Sequence, residues 1–156
     1  MPTARNHAAV GVVNNKIYII GGRIGAAFMT TPASATDLVE EYDPATDQWG
    51  PLKTSMPTPR SATSWGTYGG KIYVAGGEMR DQKIWGVFNL VEAFDPVANT
   101  WTTLPAMPIP RHGHAGDFVG NRLHIVSGDV QSLGGSKPDD VQVETDLHHA
   151  LEIPAK

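Results

Sequence analysis

MPTPRSATSWGTYGGKIYVAGG, residues 56–77, contains a Met-Pro start, an arginine, two strand-like runs and two glycine pairs. Residues 63–68 and 71–75 have strand composition. Gly69-Gly70 between them tolerates the positive φ that a two-residue hairpin requires. The stretch decides the fold because it recurs. Met1-Pro2-Thr3-Ala4-Arg5, Met56-Pro57-Thr58-Pro59-Arg60 and Met107-Pro108-Ile109-Pro110-Arg111 are separated by 56 − 1 = 55 and 107 − 56 = 51 positions. Gly21-Gly22, Gly76-Gly77 and the degraded Ser127-Gly128 keep the same two offsets. Residues 8–13 and 16–20 flank Asn14-Asn15, and residues 115–119 and 122–126 flank Gly120-Asn121, so each repeat predicts the same hairpin.

Outward from the glycine pair comes a loop of variable length and a third predicted strand, Leu38 to Tyr42 or Leu90 to Phe94. An Asp-Pro turn (Asp43-Pro44, Asp95-Pro96) then leads to a fourth strand carrying Trp49 or Trp101, each seven positions after Tyr42 or Phe94. Proline lacks the amide hydrogen that a ladder needs, which places it in that turn. Four antiparallel strands every 51 to 55 residues describe one blade of a β-propeller. The expected fold is therefore all-β: a single partial propeller over residues 1–156, with blades at about 3–54, 58–105 and 109–156, the third without its fourth strand.

Composition agrees. The 156 residues include 17 Gly and 12 Pro, spread evenly, with 40% apolar and 18% charged residues, which excludes both a charge-rich disordered chain and a coiled coil. A net charge of −4 supplies no basic field for phosphates and argues against nucleic-acid partners. Cysteine is absent, which removes disulfides, thiolate nucleophiles and cysteine-ligated metals. No apolar run approaches the roughly 20 residues of a membrane span, and Met1-Pro2-Thr3-Ala4-Arg5 does not begin a signal peptide. The expectation is a soluble chain without a membrane partner, cytoplasmic by default, with export of a longer parent protein left open.

The Gly-Gly doublet after the second strand, with an aromatic and a Trp seven apart around an Asp-Pro turn, resembles the kelch-repeat family. The first two repeats match fully. In the third, Ser127 replaces a glycine, His149-Ala150-Leu151-Glu152 stands where Glu92-Ala93-Phe94-Asp95 stands in the second, and no Trp follows. Kelch propellers often complete the last blade with an N-terminal strand, so the chain looks like the C-terminal half of a propeller of about six blades. That implies as partners the missing half or a second copy of the chain. The favoured function is a non-catalytic binding module for a protein or carbohydrate ligand at the loop rim, with no cofactor and no metal. The alternative is part of a sugar-directed kelch enzyme, similar to sialic-acid mutarotases or galactose oxidases. The latter's cofactor joins a tyrosine to a cysteine, which this chain cannot supply.

Tyr42, Trp49, Phe94 and Trp101 are expected in the core between blades. Arg5, Arg60 and Arg111 recur sixteen positions before each glycine pair (21 − 5, 76 − 60, 127 − 111). Either their guanidinium forks bond loop carbonyls or a carboxylate such as Glu40 or Glu92, or they form a crown on the rim. Arg23, Glu78 and Asp129 occupy equivalent positions in the long loops 23–37, 78–89 and 129–146, where differing chemistry would specialise a binding face. The resemblance adds the start of the first strand, so the candidate ligand-binding residues are Arg5, His7, Arg23, Arg60, Glu78, Trp85, Arg111 and His112. Trp85 and Phe88 have no repeat counterpart and suit either an exposed contact or a cover for a blade edge. His112 and His114 lie two apart, but two ligands do not close a metal site. No GxSxG or HExxH motif is present, and no catalytic residue is assigned. An enzyme of the mutarotase kind would draw on Arg23, Glu78 and His112.

Overall fold

The computed structural model describes residues 1–25, 34–80, 85–131 and 143–154, and no helix occurs among them. In blade 1, β1 (Ala9–Val13) turns through Asn14 and Asn15, at φ 51° and 59°, into β2 (Lys16–Ile20). A short hairpin of β3 (Arg23–Ile24) and β4 (Ser34–Ala35) follows the glycine pair. β5 (Val39–Asp43) then returns along β2, and β6 (Gln48–Trp49) completes the order β1-β2-β5-β6. Blade 2 repeats the pattern with β7 (Ser64–Tyr68), β8 (Lys71–Ala75), the hairpin β9 (Glu78–Arg80) and β10 (Trp85–Val87), then β11 (Val91–Asp95) and β12 (Thr100–Leu104). Blade 3 has β13 (Ala115–Val119), β14 (Arg122–Val126) and β15 (His148–Glu152), and no fourth strand among the described residues.

The aromatics seven positions apart face each other across the third and fourth strands, Tyr42 opposite Trp49 and Phe94 opposite Trp101. The long loops differ from expectation in starting as two-stranded extensions, β3–β4 and β9–β10, runs too short for alternation to reveal. Parts of all three loops lie outside the described residues.

The core lies between the blades. Because strand side chains alternate, β8 sends Ile72 and Val74 toward blade 1 and Tyr73 and Ala75 toward blade 3, and all four are buried. Ile72, Val74 and Phe94 meet Ala9, Tyr18, Ile20 and Val39 of blade 1, with Tyr18 and Phe94 edge to face at 6.1 Å. Tyr73 and Val91 meet Leu123 and Ile125 of blade 3, and Phe118 packs on Tyr68 and Tyr73 at 5.1 and 5.0 Å. Phe94 is fully buried and Trp101 packs on the same cluster. Tyr42 and Trp49 depart from the expected role: they stack on each other at 5.1 Å but stay half-buried. In blade 2 this aromatic face meets blade 1, whereas in blade 1 no described blade covers it.

Blades converge most tightly at their innermost strands, where β1 and β7 each carry a central glycine and β13 has Asp117 at that position. A Cβ on Gly11 would stand 2.6 Å from Ile72 Cγ1 of the next blade, and one on Gly66 2.8 Å from Phe118 Cδ2.

Candidate functional site

The rim is built first from backbone. In each blade the residue two after the repeat's arginine has a left-handed conformation: His7 (φ 55°), Ala62 (φ 53°) and Gly113 (φ 62°). The turn brings the residue before it back onto the residue after the glycine pair, so Asn6 bridges Arg23, Ser61 bridges Glu78 and His112 bridges Asp129. Ala62 N–H donates to His7 O at 3.0 Å and Gly113 N–H to Ala62 O at 2.8 Å, which stitches the three blades together. Gly77 N–H likewise donates to Arg111 O at 2.8 Å. This approach explains the glycine pairs, because a Cβ on Gly21 would stand 2.7 Å from Arg60 O and one on Gly76 2.5 Å from Arg111 O. Ser127, at the corresponding point of blade 3, keeps the left-handed φ of 64° but is exposed.

On this frame the side chains form a polar chain across all three blades. Arg23 donates through Nε to Asn6 Oδ1 at 3.0 Å and through Nη1 to Glu78 Oε1 of blade 2 at 3.1 Å. Its Nη2 lies 3.1 Å from His7 Nε2. The other Glu78 oxygen faces His112 Nδ1 of blade 3 at 3.9 Å, and His112 Nε2 lies 2.8 Å from Gln131 O. Partial burial, reinforced by the Arg23 charge, lowers the pKa of His7 and so favours a neutral imidazole that can accept from Arg23. Of the sequence candidates, His7, Arg23, Glu78 and His112 are thus brought together. Trp85 stands on the β9–β10 hairpin that Glu78 begins, with 52% of its surface exposed.

Arg5, Arg60 and Arg111 are not part of that surface. The Arg60 side chain has no exposure; it donates to Gly76 O at 2.8 Å, Thr58 O at 3.0 Å and Glu92 Oε2 at 2.5 Å. Arg5 bonds Thr3 O, Ile19 O and Glu40, without the glycine-carbonyl bond that Arg60 makes through Nε. Arg111, also fully buried, bonds Ser127 O and Leu147 O, and meets His149 Nδ1 at 2.9 Å where the other repeats have a glutamate. Of the two readings of the periodic arginine, the geometry selects the structural one: the guanidinium crown lies beneath the rim, fastening it from inside the blades. The correction has a physical cause: a five-donor fork finds several carbonyls only where loops fold over it.

His112 and His114 part company. His114 is buried beneath the rim, neither ring nitrogen has a partner among the described residues, and burial lowers its pKa to about 4. No group of three or more metal-ligating side chains occurs among the described residues. Sequence reasoning missed Trp65. It is 38% exposed in a groove of about 380 Å³ along the inner strands, with Val10, Val12, Thr67 and Asp117. The alternation of residues 64–67, with Gly66 turned to the neighbouring blade, carried that signal.

Comparison with known proteins places these features. The profile of the KLHDC2/KLHL20/DRC7 Kelch-repeats domain matches residues 1–141. Beta-scruin of Limulus polyphemus is 30% identical over 147 residues, which is 92% of this chain and 15% of that protein. Kelch-like protein 15 of Gallus gallus is 29% identical over 124 residues, covering 79% of this chain and 24% of its own length. The solved structure of YjhT superposes with a TM-score of 0.71 at 17% identity, over 82% of this chain and 45% of that one, a likeness of fold. The chain therefore spans less than a quarter of the length of these two curated relatives.

Proposed function

Because the chain belongs to the kelch-repeat family, we propose that it is a binding module whose ligand is a polypeptide segment seated on the rim of His7, Arg23, Glu78 and His112, with Trp85 at its side. The observation that carries this is the Arg23–Glu78 bond between blades, continued to His112, since it lets one ligand touch three blades at once. Alternating cation, carboxylate and imidazole groups complement the mixed donors and acceptors of a peptide, and a half-exposed tryptophan adds an apolar anchor. Selection of a displayed peptide library on the folded chain tests it. Enriched peptides are expected to bind at least about tenfold more weakly to the Arg23→Ala and Trp85→Ala variants. Equal binding to the variants refutes the assignment. A glycan bound instead, and lost in the same variants, transfers the site to a carbohydrate ligand.

The same proposal extends to the ends of the three-blade array. The Tyr42–Trp49 face of blade 1 and the outer face of blade 3 are closed by a second copy in a ring of about six blades, in a symmetric dimer. A monodisperse monomer in light scattering overturns the dimer.

A further inference from the structure

The face of blade 3 turned away from blade 2 departs from the repeat. Alternation sends Leu123 and Ile125 of β14 into the core between blades 2 and 3, so His124 projects to the opposite face. His148 of β15, in register with Val126, lies on that face too. The place of His124 is taken by Tyr18 and Tyr73 in the other blades, since 73 − 18 = 55 and 124 − 73 = 51. The place of His148 is taken by Val39 and Val91, which pair with Ile20 and Ala75 two positions after those tyrosines. All four are buried against the following blade. In blade 3 an imidazole replaces each. His124 Nδ1 and His148 Nε2 are 2.8 Å apart, and the rings stack at 5.1 Å with 26° between their planes. Asp117 directly opposes His124 across β13–β14, while Arg122 and Glu152 of the same face pair with each other at 3.1 Å, so Asp117 gives the face a net negative charge.

We propose that His124 and His148 chelate a late divalent transition-metal ion across β14 and β15, copper(II) ahead of nickel(II) in the ordinary order of affinities. Two nitrogens 2.8 Å apart, each about 2.0 Å from a common ion, subtend about 90° at it. That is the cis angle of a square-planar or tetragonal centre, and it is narrower than the tetrahedral angle that zinc adopts. The hydrogen bond between the rings holds one proton between the facing nitrogens. On binding, that proton moves through solvent to the far nitrogen of its own ring, Nε2 of His124 or Nδ1 of His148. Rotation about Cβ–Cγ then aims both lone pairs at the ion. Among the described residues no third metal-ligating side chain joins the pair, so water completes the coordination, and the Asp117 carboxylate favours the cation through its field. The chelate fastens β15 to β14 through side chains, on the strand whose outer edge no described strand pairs.

The probe is copper(II) chloride, titrated at neutral pH in a non-coordinating buffer and at dilutions where the proposed dimer is dissociated, and followed by electron paramagnetic resonance. The first equivalent is expected to give an axial spectrum with hyperfine structure from two nitrogens. His124→Gln and His148→Gln are each expected to weaken that site at least about tenfold, and the double variant little more than either, because one imidazole alone does not chelate. Amide exchange at residues 122–126 and 148–152 of the unaltered chain is expected to slow when copper binds, a readout that needs no variant. Equal affinity in either single variant, a spectrum with one nitrogen, or unchanged exchange in both strands would each overturn the proposal. None of these readouts involves the rim, so failure of rim binding leaves them intact.

Discussion

Replacing His149 by glutamate gives blade 3 the partner that the other two buried arginines already have. Arg5 meets Glu40, Arg60 meets Glu92, and Arg111 meets, among the described residues, carbonyl oxygens and the His149 imidazole at 2.9 Å. Burial lowers the Arg111 pKa with no carboxylate opposing it, whereas at Arg60 the Glu92 charge opposes the same effect of burial. The bond from the charged Arg111 to His149 is already charge-assisted, so His149→Glu adds a counter-charge, an attraction of about 4 kcal/mol at 4 Å for an effective dielectric of 20, less the cost of desolvating the new carboxylate. That cost is smaller here than at Glu92, because Glu92 is only 3% exposed while His149 is half-buried. The expected net is a stabilisation of about 1 kcal/mol at neutral pH, read as a higher urea midpoint at unchanged slope. The arginine holds the new carboxyl below its unfolded pKa, so the gain is present above that pKa and is lost as pH falls through the folded value. A loss of more than about 1 kcal/mol would refute the view that these arginines are held by interchangeable acceptors beneath the rim.

Phe94→Ala is expected to cost about 3–5 kcal/mol, since the ring is fully buried between blades, and Trp49→Ala less than about 2 at dilutions where the proposed dimer is dissociated, since Trp49 then stacks on Tyr42 at an uncovered face. Equal costs in denaturant melts would contradict the inequivalence of the two aromatic pairs. His114 has a folded pKa near 4 against 6.5 in the unfolded chain, so the unfolded state takes the proton first. Stability is expected to be complete above about pH 6.5 and to fall by on the order of 3 kcal/mol toward pH 4. His114→Thr, the residue found at Thr63 in the preceding repeat, is expected to remove that part of the slope, and urea midpoints at pH 7 and pH 5 that change alike in both proteins would exclude His114 as its source.

The periodic landmarks made the blades legible: glycine pairs, Met-Pro starts and Asp-Pro turns each serve a backbone need that only a few residue types meet. Arg23, Glu78 and their neighbours His7 and His112 were legible as candidates because their chemistry varies where the repeat otherwise holds constant. The depth of Arg5, Arg60 and Arg111 was less so, because periodicity suits an internal brace and a surface crown equally, and only the carbonyls folded over each fork decide. Trp49 and Trp101 read alike in sequence and differ in burial, because what covers a blade face is another blade. Trp65 is not marked by the repeat landmarks, because alternation along residues 64–67 does not by itself say which face turns to the groove.

The central glycines of the inner strands have a geometric consequence. Each blade is a wedge, and its thin end is set by the absence of a side chain at Gly11 against Ile72 and at Gly66 against Phe118. A methyl group there would widen the wedge at its tip and leave its outer strands unchanged, so successive blades would fan through a smaller angle. The missing Cβ at these two positions thus bears on the angle between successive blades, and a larger residue there would favour a wider ring.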